Sequence, residues 1–488
     1  MNRIFSIIIA CSIGCSGSDK KPPESSNPEL PEESNVTMYV TTNSRSQDFK
    51  KQVIDFSNEM SDVTITLHPE QRYQTMDGFG AAITGSTAYN LLKMSTENRT
   101  KFLKETFSPT EGMGYSYIRI SIGCSDFSLS EYTCWDDKNS GFALTSEEND
   151  HVIPVLKEIL SINPTLKILG SPWTCPCWMK VNDLNNLQPF NSWTSGQLNP
   201  AYYFDYADYF VRWIQAFAHE GITIYSVTPQ NEPLNRGNSA SLFMGWQEQR
   251  DFVQNALIPK FKSVGLTTKI YLFDHNYNYD GMSDQYEYPV KIYDAGVTDD
   301  LVAGAAYHNY GGNKNELLNI HDKYPDKELI FTETSIGTWN NGQDLSARLM
   351  DDMSEVALGT VNNWCKAVIV WNLMLDNHRG PYRPGGCDVC YGAVDINSSN
   401  YRDIQKNSHY YIIGHLSSVV KPEAVRIKTE GYHTSGLVFS AFENTDGTYA
   451  LVLLNNTTNN QKITINDGTK QFTHTVPFKS VVSYQWKK

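Results

Sequence analysis

The chain has 488 residues, of which 40% are hydrophobic and 19% charged, a balance typical of globular proteins rather than disordered ones. This length is enough for one large domain and a small one. The formal net charge of −14 repels phosphate backbones and, more weakly, acidic polysaccharides, so the composition disfavours nucleic acid and favours a neutral partner. The surplus of Tyr and Trp suits both sugar stacking and an ordinary large core.

Residues 1–15 are predicted to be an export signal, because one positive charge precedes an apolar run too short to span a bilayer as a stable helix. Cys11 and Cys15 each end a segment that resembles the lipobox of bacterial lipoproteins. We take Cys15 as the lipidated residue because it leaves the longer apolar run, and a plain cleaved signal is the alternative. Residues 16–36, rich in Ser, Pro and Glu, are predicted to be a flexible linker. We therefore expect a secreted protein, lipid-anchored to the outer membrane or cell surface of a bacterium, that meets the membrane only through its anchor.

The central part of the chain, residues 71–417, alternates short apolar runs with stretches that carry apolar residues at helical spacing. The runs lie at 76–83, 117–122, 166–172, 222–229, 268–274, 302–307, 329–333 and 367–372. Eight strand–helix units in succession predict an α/β fold, the parallel (β/α)8 barrel. A doubly wound open sheet is the alternative, although no glycine-rich phosphate motif follows any of the strands.

The two flanks of this region have the pattern of strands without helices. Residues 37–70 contain two alternating runs, and residues 418–488 contain several apolar runs separated by turns, including the hairpin signal NTDG at 444–447. Because the N-terminal strands have no helices of their own, we expect them to join the C-terminal ones. The prediction is a small side β-sandwich built from both termini.

The cysteines give no indication of a metal centre. Cys387 and Cys390 have the spacing of half a zinc site, but the sequence has no second such pair. Export permits disulfides, and the odd number of cysteines after the signal leaves at least one thiol free. We expect neither a metal nor an organic cofactor.

Two glutamates, Glu232 and Glu333, end the fourth and seventh predicted strands, which face each other across the mouth of a closed barrel. Catalytic groups of such barrels lie at the carboxyl ends of the strands. Glycoside hydrolysis needs one carboxyl group to protonate the leaving oxygen and another to attack or to activate water, at ~5–5.5 Å for retention or ~6.5–9.5 Å for inversion, so both outcomes stay open at this point. The other candidates at strand ends are Arg119, Asp126, Trp173, Asn231, His308, Tyr310 and Trp371.

Five segments together resemble glycoside hydrolase family 30, the family of lysosomal glucosylceramidase. They are DGFGAA at 77–82, CSDFS at 124–128, SPWTCPCWMK at 171–180, TPQNEP at 228–233 and TET at 332–334. The similarity covers residues 60–480, and the chain is most similar to members that cut β-1,6-glucan. The family fold, a (β/α)8 barrel with a side β-sandwich from both termini, agrees with the pattern of strands and helices.

The resemblance implies a retaining mechanism with Glu232 as the acid/base and Glu333 as the nucleophile. It also implies a set of supporting roles: Asn231 for the 2-hydroxyl of the cleaved sugar, Asp126, Trp173 and Trp371 for holding that sugar, Tyr310 beside the nucleophile, and Arg119 as a support. Three departures bear on the shape of the sugar pocket, and the first is Ala81, where the family usually has a second glycine after Gly-Phe. Gly85 replaces an Asp that is common in the family, and Ser125 separates the Cys and Asp that the family joins.

We therefore expect a retaining endo-β-1,6-glucanase that acts on a neutral β-linked polysaccharide or oligosaccharide. An exo-acting β-glucosidase or glucosylceramidase-like enzyme, or a β-xylosidase or xylanase, would use the same chemistry. A surface glycan-binding lipoprotein without turnover is the alternative of a different class. The presence of both glutamates argues against it, because a binding protein does not need the pair.

Overall fold

The computed structural model describes residues 35–488. The predicted export signal, the lipidation candidate Cys15 and nearly all of the predicted linker lie outside the described residues. Between residues 35 and 488, no helix is both long enough and apolar enough to cross a membrane.

Eight parallel strands, numbered β1 to β8 along the chain, form the barrel. They are Gly78–Ala81, Tyr117–Ser121, Lys167–Ser171, Ser226–Val227, Lys269–Asn276, Val302–His308, Glu328–Glu333 and Cys365–Val370. Neighbours in sequence pair with each other, β8 pairs with β1, and a bridge between Ala82 and Arg119 joins β1 to β2 and closes the ring. Each strand falls on a run predicted from the sequence, and the open-sheet alternative is wrong.

Apolar side chains fill the barrel below its mouth. Six strands contribute to this inner layer, which contains Tyr117, Leu169, Tyr271, Ala306, Ile330, Ala367 and Ile369. Because successive residues of a strand point to opposite faces, the neighbours of Ile330, Leu329 and Phe331, pack outward with the helices instead. The strands are therefore buried on both faces and read as continuous apolar runs.

Helices surround the barrel. They are Gly85–Lys93, Thr96–Phe107, Ile153–Ile162, Tyr203–His219, Trp246–Phe252, Ile258–Ser263, Tyr288–Asp294, Glu316–Lys323, Leu345–Asp352, Leu358–Asn362 and Ser408–Ser417. Three π-helical turns, Glu148–Val152, Val253–Leu257 and Met353–Ala357, extend or join them. The helices pack against the barrel through one apolar face. In the longest helix, Tyr203–His219, the buried side chains recur every three or four residues: Tyr206, Phe210, Trp213 and Phe217.

The loops between the barrel strands and helices contain short strands and 3₁₀ turns. Lys180–Val181 pairs with Gln197–Leu198, Ile336–Gly337 pairs with Cys390–Tyr391, and a three-stranded sheet joins Met374–Asp376, Val394–Ile396 and Ile404–Lys406. Single 3₁₀ turns lie at Cys177–Met179, Pro200–Tyr202, Tyr279–Gly281, Ser283–Gln285 and Thr338–Asn340.

The side sheet has nine strands from both flanks of the barrel. Asn35–Thr42, Lys50–Asp55 and Val63–Thr75 precede the barrel, and Val425–Glu430, Leu437–Glu443, Thr448–Asn455, Gln461–Asn466, Gln471–Val476 and Ser480–Lys487 follow it. The first strand pairs with the last, with Met38 opposite Tyr484. Apolar side chains from both ends of the sheet, such as Val36 and Ile463, meet in one core, so the sheet curls into the two layers of a sandwich.

Two details differ from the sequence pattern. The strand Lys50–Asp55 was not predicted, because its sequence KKQVID is mostly polar and mostly exposed. The strand Val63–Thr75 continues past the boundary predicted between residues 70 and 71.

Candidate active site

Glu232 and Glu333 meet at the mouth of the barrel. Glu232 follows β4 and Glu333 ends β7, and both are buried, with 5% and 6% of their surface exposed. One carboxylate oxygen from each glutamate and one ring nitrogen of His308 all lie within 4.8 Å of one another. This proximity fits the ~5–5.5 Å separation of carboxyl groups in retaining enzymes better than the wider gap of inverting ones.

Three groups surround the carboxylate of Glu333. Arg119 forms an ion pair with its Oε2, and the Tyr310 hydroxyl donates to its Oε1 at 3.1 Å. Burial raises the pKa of Glu333 above its ordinary value, although the positive charges of His308 and Arg119 act in the opposite direction. The Arg119 and Tyr310 contacts fix the orientation of the carboxylate.

Arg119 lies below the pocket rather than in it, since its side chain is completely buried. Its Nη2 donates to Asn231 Oδ1 and to Asp274 Oδ2, both at 2.7 Å, and its Nε donates to Ser171 Oγ at 3.1 Å. The guanidinium therefore aligns Glu333, the predicted nucleophile, with Asn231, the residue predicted to bind the sugar 2-hydroxyl. In this geometry it positions Asn231 and Glu333 through hydrogen bonds.

Glu232 sits in a left-handed backbone conformation, with φ of +43°, which costs a non-glycine residue on the order of 1 kcal/mol. Its amide donates to the carbonyl of Asp274 at 3.0 Å. Its Oε2 accepts hydrogen bonds from the side-chain amides of Asn235 at 2.9 Å and Asn238 at 2.7 Å. These contacts hold the strained turn and aim the carboxylate at the pocket.

His308 links Glu232 to Asp274. Its Nδ1 lies 3.3 Å from Glu232 Oε1, and its Nε2 lies 3.0 Å from Asp274 Oδ1. Burial alone would lower the pKa of His308, but the carboxylates of Glu333 and Asp274 raise it to about 9. Burial would raise the pKa of Glu232, but the hydrogen bond from His308 and the charges of His275 and His308 lower it to about 2. At neutral pH, Glu232 and His308 therefore hold one proton between them, on the imidazole in the resting state.

Asp274 organises the site and was missed by the sequence analysis. Four groups donate to its carboxylate: Arg119 at 2.7 Å, Thr228 at 2.7 Å, Thr332 at 2.6 Å and His308 at 3.0 Å. Despite burial, the charges of Arg119 and His308 hold the pKa of Asp274 well below its usual range. It lies in a bulge of β5, where the pairing with β6 shifts. The available signal was DHN at 274–276, three polar residues that end an apolar strand.

Asp126 carries a buried oxygen, Oδ1, that has no hydrogen-bond partner within the protein. Burial and the charges of Glu333 and Glu232 raise the pKa of Asp126 to about 8. Buried polar atoms are nearly always satisfied, so an oxygen without a partner near Glu232 and Glu333 fits the predicted role in binding sugar hydroxyls. The role predicted for Asp126 stays a prediction.

Trp173 and Trp371 form an aromatic wall. Their rings stack with centroids 5.0 Å apart and planes 27° apart. The Arg119 guanidinium lies 4.8 Å from the ring of Trp173 and 5.4 Å from that of Trp371, so both rings contact the cation that forms an ion pair with Glu333. The predicted site residues thus converge on one pocket from seven different segments of the chain.

The candidate metal ligands already have partners within the protein. Within residues 35–488, one group of ligand atoms could hold an ion, and it consists of Glu232, His308 and Glu333, which are the two predicted catalytic glutamates and the histidine hydrogen-bonded to Glu232. Cys387 and Cys390, which have the spacing of half a zinc site, are joined in a disulfide.

A closed (β/α)8 barrel with two carboxyl groups at retaining distance across its mouth, beside an aromatic wall, defines a glycoside hydrolase. The family model described as the glycosyl hydrolase family 30 TIM-barrel domain matches residues 76–420, and the family 30 beta sandwich domain matches residues 423–484. The chain belongs to glycoside hydrolase family 30, a family of retaining enzymes.

Several characterised proteins are similar along most of their length. Endo-1,6-beta-D-glucanase BGN16.3 of Trichoderma harzianum is 31% identical over 434 residues, which cover 84% of each chain. Lysosomal acid glucosylceramidase of Mus musculus is 27% identical over 458 residues, which cover 87% of this chain and 83% of the mouse protein. Among solved structures, the endo-beta1,6-glucanase BT3312 is 65% identical with a TM-score of 0.92, covering 93% of this chain and 99% of that one.

Proposed function

We propose that this enzyme is an endo-β-1,6-glucanase in which Glu333 is the nucleophile and Glu232 the general acid/base. The proximity of the two carboxyl groups across the barrel mouth carries the chemistry. The linkage is supported by similarity to β-1,6-glucanases, at 65% identity for a solved structure and 31% for the Trichoderma enzyme.

In the first step, an oxygen of Glu333 attacks the anomeric carbon and the bond from that carbon to the leaving oxygen breaks. Glu232 gives a proton to the departing oxygen, so the leaving chain departs as a neutral alcohol. Water then attacks the glycosyl-enzyme, Glu232 removes its proton, and Glu333 is released as a carboxylate. The anomeric configuration is retained because each step inverts it once.

The proton for the first step is held by the Glu232–His308 pair. Its ionic and neutral forms differ by the transfer of one proton from His308 Nδ1 to Glu232 Oε1 across the 3.3 Å contact. Asp274 accepts the other ring N–H at 3.0 Å and keeps the imidazole oriented in both forms. Ester formation removes the charge of Glu333, one of the carboxylates that hold the proton on His308, so acid catalysis and attack are coupled.

Replacement of the two glutamates tests the assignment of roles. Glu232→Gln is expected to lose about 100-fold or more in kcat/KM on β-1,6-glucan, whose leaving group is poor, and to retain more activity on an aryl β-glucoside with an activated leaving group. Glu333→Gln is expected to lose activity on both substrates, because no intermediate forms. Equal losses of Glu232→Gln on the two substrates would contradict the assignment.

Digestion of defined polymers tests the linkage and the mode of cleavage. We expect purified enzyme to release reducing ends from β-1,6-glucan in preference to β-1,3-glucan, β-1,4-glucan and xylan. An endo enzyme produces a range of oligosaccharides early in the digest, whereas an exo enzyme produces glucose from the start. Activity confined to xylan, to glucosylceramide or to aryl glucosides would exclude the proposal.

We also propose that the enzyme is secreted, with Cys15 carrying a lipid anchor to the bacterial envelope. The support is the N-terminal sequence, in which an apolar run ends at a lipobox-like segment. In cells grown with labelled palmitate, the full chain is expected to incorporate label and Cys15→Ser to lose it, while Cys11→Ser keeps it. Label retained by Cys15→Ser would contradict the choice of cysteine.

A further inference from the structure

Trp339 is a large exposed aromatic residue in the loop that follows β7, the strand that ends at Glu333. It lies in the turn Thr338–Asn340, shortly after Glu333 at the end of β7, and 53% of its surface is exposed. Neither the catalytic pair nor the aromatic wall uses it. Tryptophan is enriched at binding interfaces, so its position in a loop at the mouth of the barrel favours a role in binding.

Gly337 sets the orientation of the Trp339 ring. A Cβ atom on Gly337 would lie 1.8 Å from Cζ3 and 2.3 Å from Cε3 of the indole, so the ring rests directly on the glycine backbone. Gly337 has an extended φ of −164°, which any residue adopts. Glycine is therefore required at this position because the indole ring occupies the space of a Cβ atom, and not because of the backbone conformation.

The segment that carries Trp339 is tied to the next loop. Ile336 and Gly337 pair with Tyr391 and Cys390 in a two-stranded ribbon, and the amide of Thr338 donates to the carbonyl of Val389 at 2.9 Å. The Cys387–Cys390 disulfide closes this partner loop. The ring is consequently presented on an ordered support, which lowers the entropic cost of binding.

Two further exposed aromatic residues lie on the flanking loops. Tyr310 follows β6 with 43% of its surface exposed, and Tyr382 follows β8 with 42% exposed. Since β6, β7 and β8 are neighbours in the barrel, the three loops occupy one sector of the mouth. Tyr310 also donates to Glu333, which places the start of this sector at the cleavage point.

We propose that Trp339 is the stacking platform for a glucosyl unit of the β-1,6-linked chain outside the pocket where the bond is cut. This inference rests on the proposed function. The C–H face of a glucose ring packs on the open face of an indole. A β-1,6 linkage contains one rotatable bond more than linkages to ring hydroxyls, so the free chain is flexible and gains more from a platform oriented before binding.

The test compares a polymer with a substrate that fills only the cleavage pocket. Trp339→Ala is expected to lower kcat/KM on soluble β-1,6-glucan about tenfold or more, to leave an aryl β-glucoside within about twofold, and Trp339→Phe to restore most of the polymer activity. Phe204→Ala is the matched control, because Phe204 is an exposed aromatic residue on the outer helix Tyr203–His219. An unchanged rate on polymer, or equal losses on both substrates, would overturn the proposal.

Gly337→Ala provides an independent variant that keeps the indole but displaces it. It is expected to lose activity on polymer selectively, as Trp339→Ala does, and thermal unfolding of both variants checks that they are folded. Titration of the inactive Glu333→Gln enzyme with β-1,6-gluco-oligosaccharides measures binding directly. The double variant Glu333→Gln/Trp339→Ala should bind these oligosaccharides about tenfold more weakly. Failure of the unmodified enzyme on β-1,6-glucan would reject the proposed function itself, which separates the two outcomes.

Discussion

Asp126 keeps a proton at neutral pH, and this lowers the stability of the fold. Its pKa is raised from 3.8 to about 8 by burial and by the charges of Glu333 and Glu232. Between these two pH values the folded state retains a proton that the unfolded chain releases, so the contribution of Asp126 to stability falls as pH rises through that window. Asp126 therefore does not stabilise the fold at neutral pH.

Asp126→Asn is therefore expected to stabilise the protein while it impairs activity. The gain should be roughly 1–3 kcal/mol at pH 7 and should be largely lost near pH 3, where the aspartate, with its ordinary pKa of 3.8 in the unfolded chain, is mostly protonated in both states. Urea unfolding at the two pH values measures the difference. Activity should fall, because the amide nitrogen of Asn can only donate, whereas the hydroxyl oxygen of the neutral acid that it replaces can both donate and accept. Equal stability of the two proteins at pH 7 would show that Asp126 is not buried as a neutral acid.

His308 should determine the basic limb of the pH–rate profile. In the unmodified enzyme the Glu232–His308 pair loses its shared proton near the pKa of His308, about 9. In His308→Gln, Glu232 must carry the proton alone, so the basic limb of kcat/KM on an aryl glucoside is expected to move towards acid by more than one pH unit. A profile whose limb stays in place, with only a lower maximum, would assign His308 a purely structural role.

At the residue scale, sequence reasoning finds groups that stand in a motif or at a strand end. Glu232, Glu333 and Arg119 were identified in this way, and the structure brings them together. Asn235 and Asn238 were not identified, because a polar residue in a loop is ordinary until the fold aims it at a carboxylate. Asp274 lies at the end of an apolar strand, but its importance depends on four donors that only the fold brings together, from β2, β6, β7 and the residue that follows β4.

At the start of the first barrel helix, the side chain of Glu147 occupies the space beside Gly85. Gly85 begins the helix Gly85–Lys93, and a Cβ on it would lie 2.1 Å from Oε1 of Glu147. Glu147 is buried, accepts the amide of Leu129 at 2.7 Å, and has its pKa raised to about 7 by burial. A carboxylate from the loop after β2 thus lies where the family resemblance leads one to expect an Asp.

Gly85→Asp is expected to destabilise the protein by about 2–4 kcal/mol, because it places a second acid and its bulk against a buried carboxyl group. The double variant Gly85→Asp/Glu147→Ala should recover at least half of this loss, since it removes the competing group. Chemical denaturation of the single and double variants measures the coupling. Strictly additive effects would mean that the two positions do not share one space.

At the element scale, burial decides which strands the sequence reveals. The eight barrel strands are covered on both faces and stand out as apolar runs, such as KILGS in β3. The strand Lys50–Asp55 lies at an edge of the side sheet, where it pairs with one neighbouring strand and most of its side chains are exposed to solvent. Its pairing with Asn35–Thr42 depends on register and not on composition, so composition could not predict it.

The whole molecule buries ionisable groups whose pKa shifts act on stability in two directions. Among residues 35–488, burial raises the pKa values of carboxyl groups that include Asp126, Glu147, Glu248 and Asp395, to about 8, 7, 7 and 6. It lowers those of histidines that include His409, His415 and His474, to about 4, 3 and 4. His415, for example, bonds Ser483 and Thr41 at 2.8 Å where the last barrel helix meets the side sheet.

These shifts predict the pH profile of unfolding. From pH 5 to 6.5 the histidines add stability with rising pH, because only the unfolded chain protonates them, while the four acids remove it, so the curve should be nearly flat. Above pH 7 the histidine gain is complete, whereas Asp126 and His308, with its pKa of about 9, hold protons that the unfolded chain has lost. Stability should then fall by roughly 1–3 kcal/mol per pH unit between pH 7 and 8.5. Urea unfolding across this range measures the slope, and Asp126→Asn should make it shallower. A free energy of unfolding that rises or stays constant above pH 7 would contradict the conclusion that the folded protein holds protons on Asp126 and His308 that the unfolded chain releases.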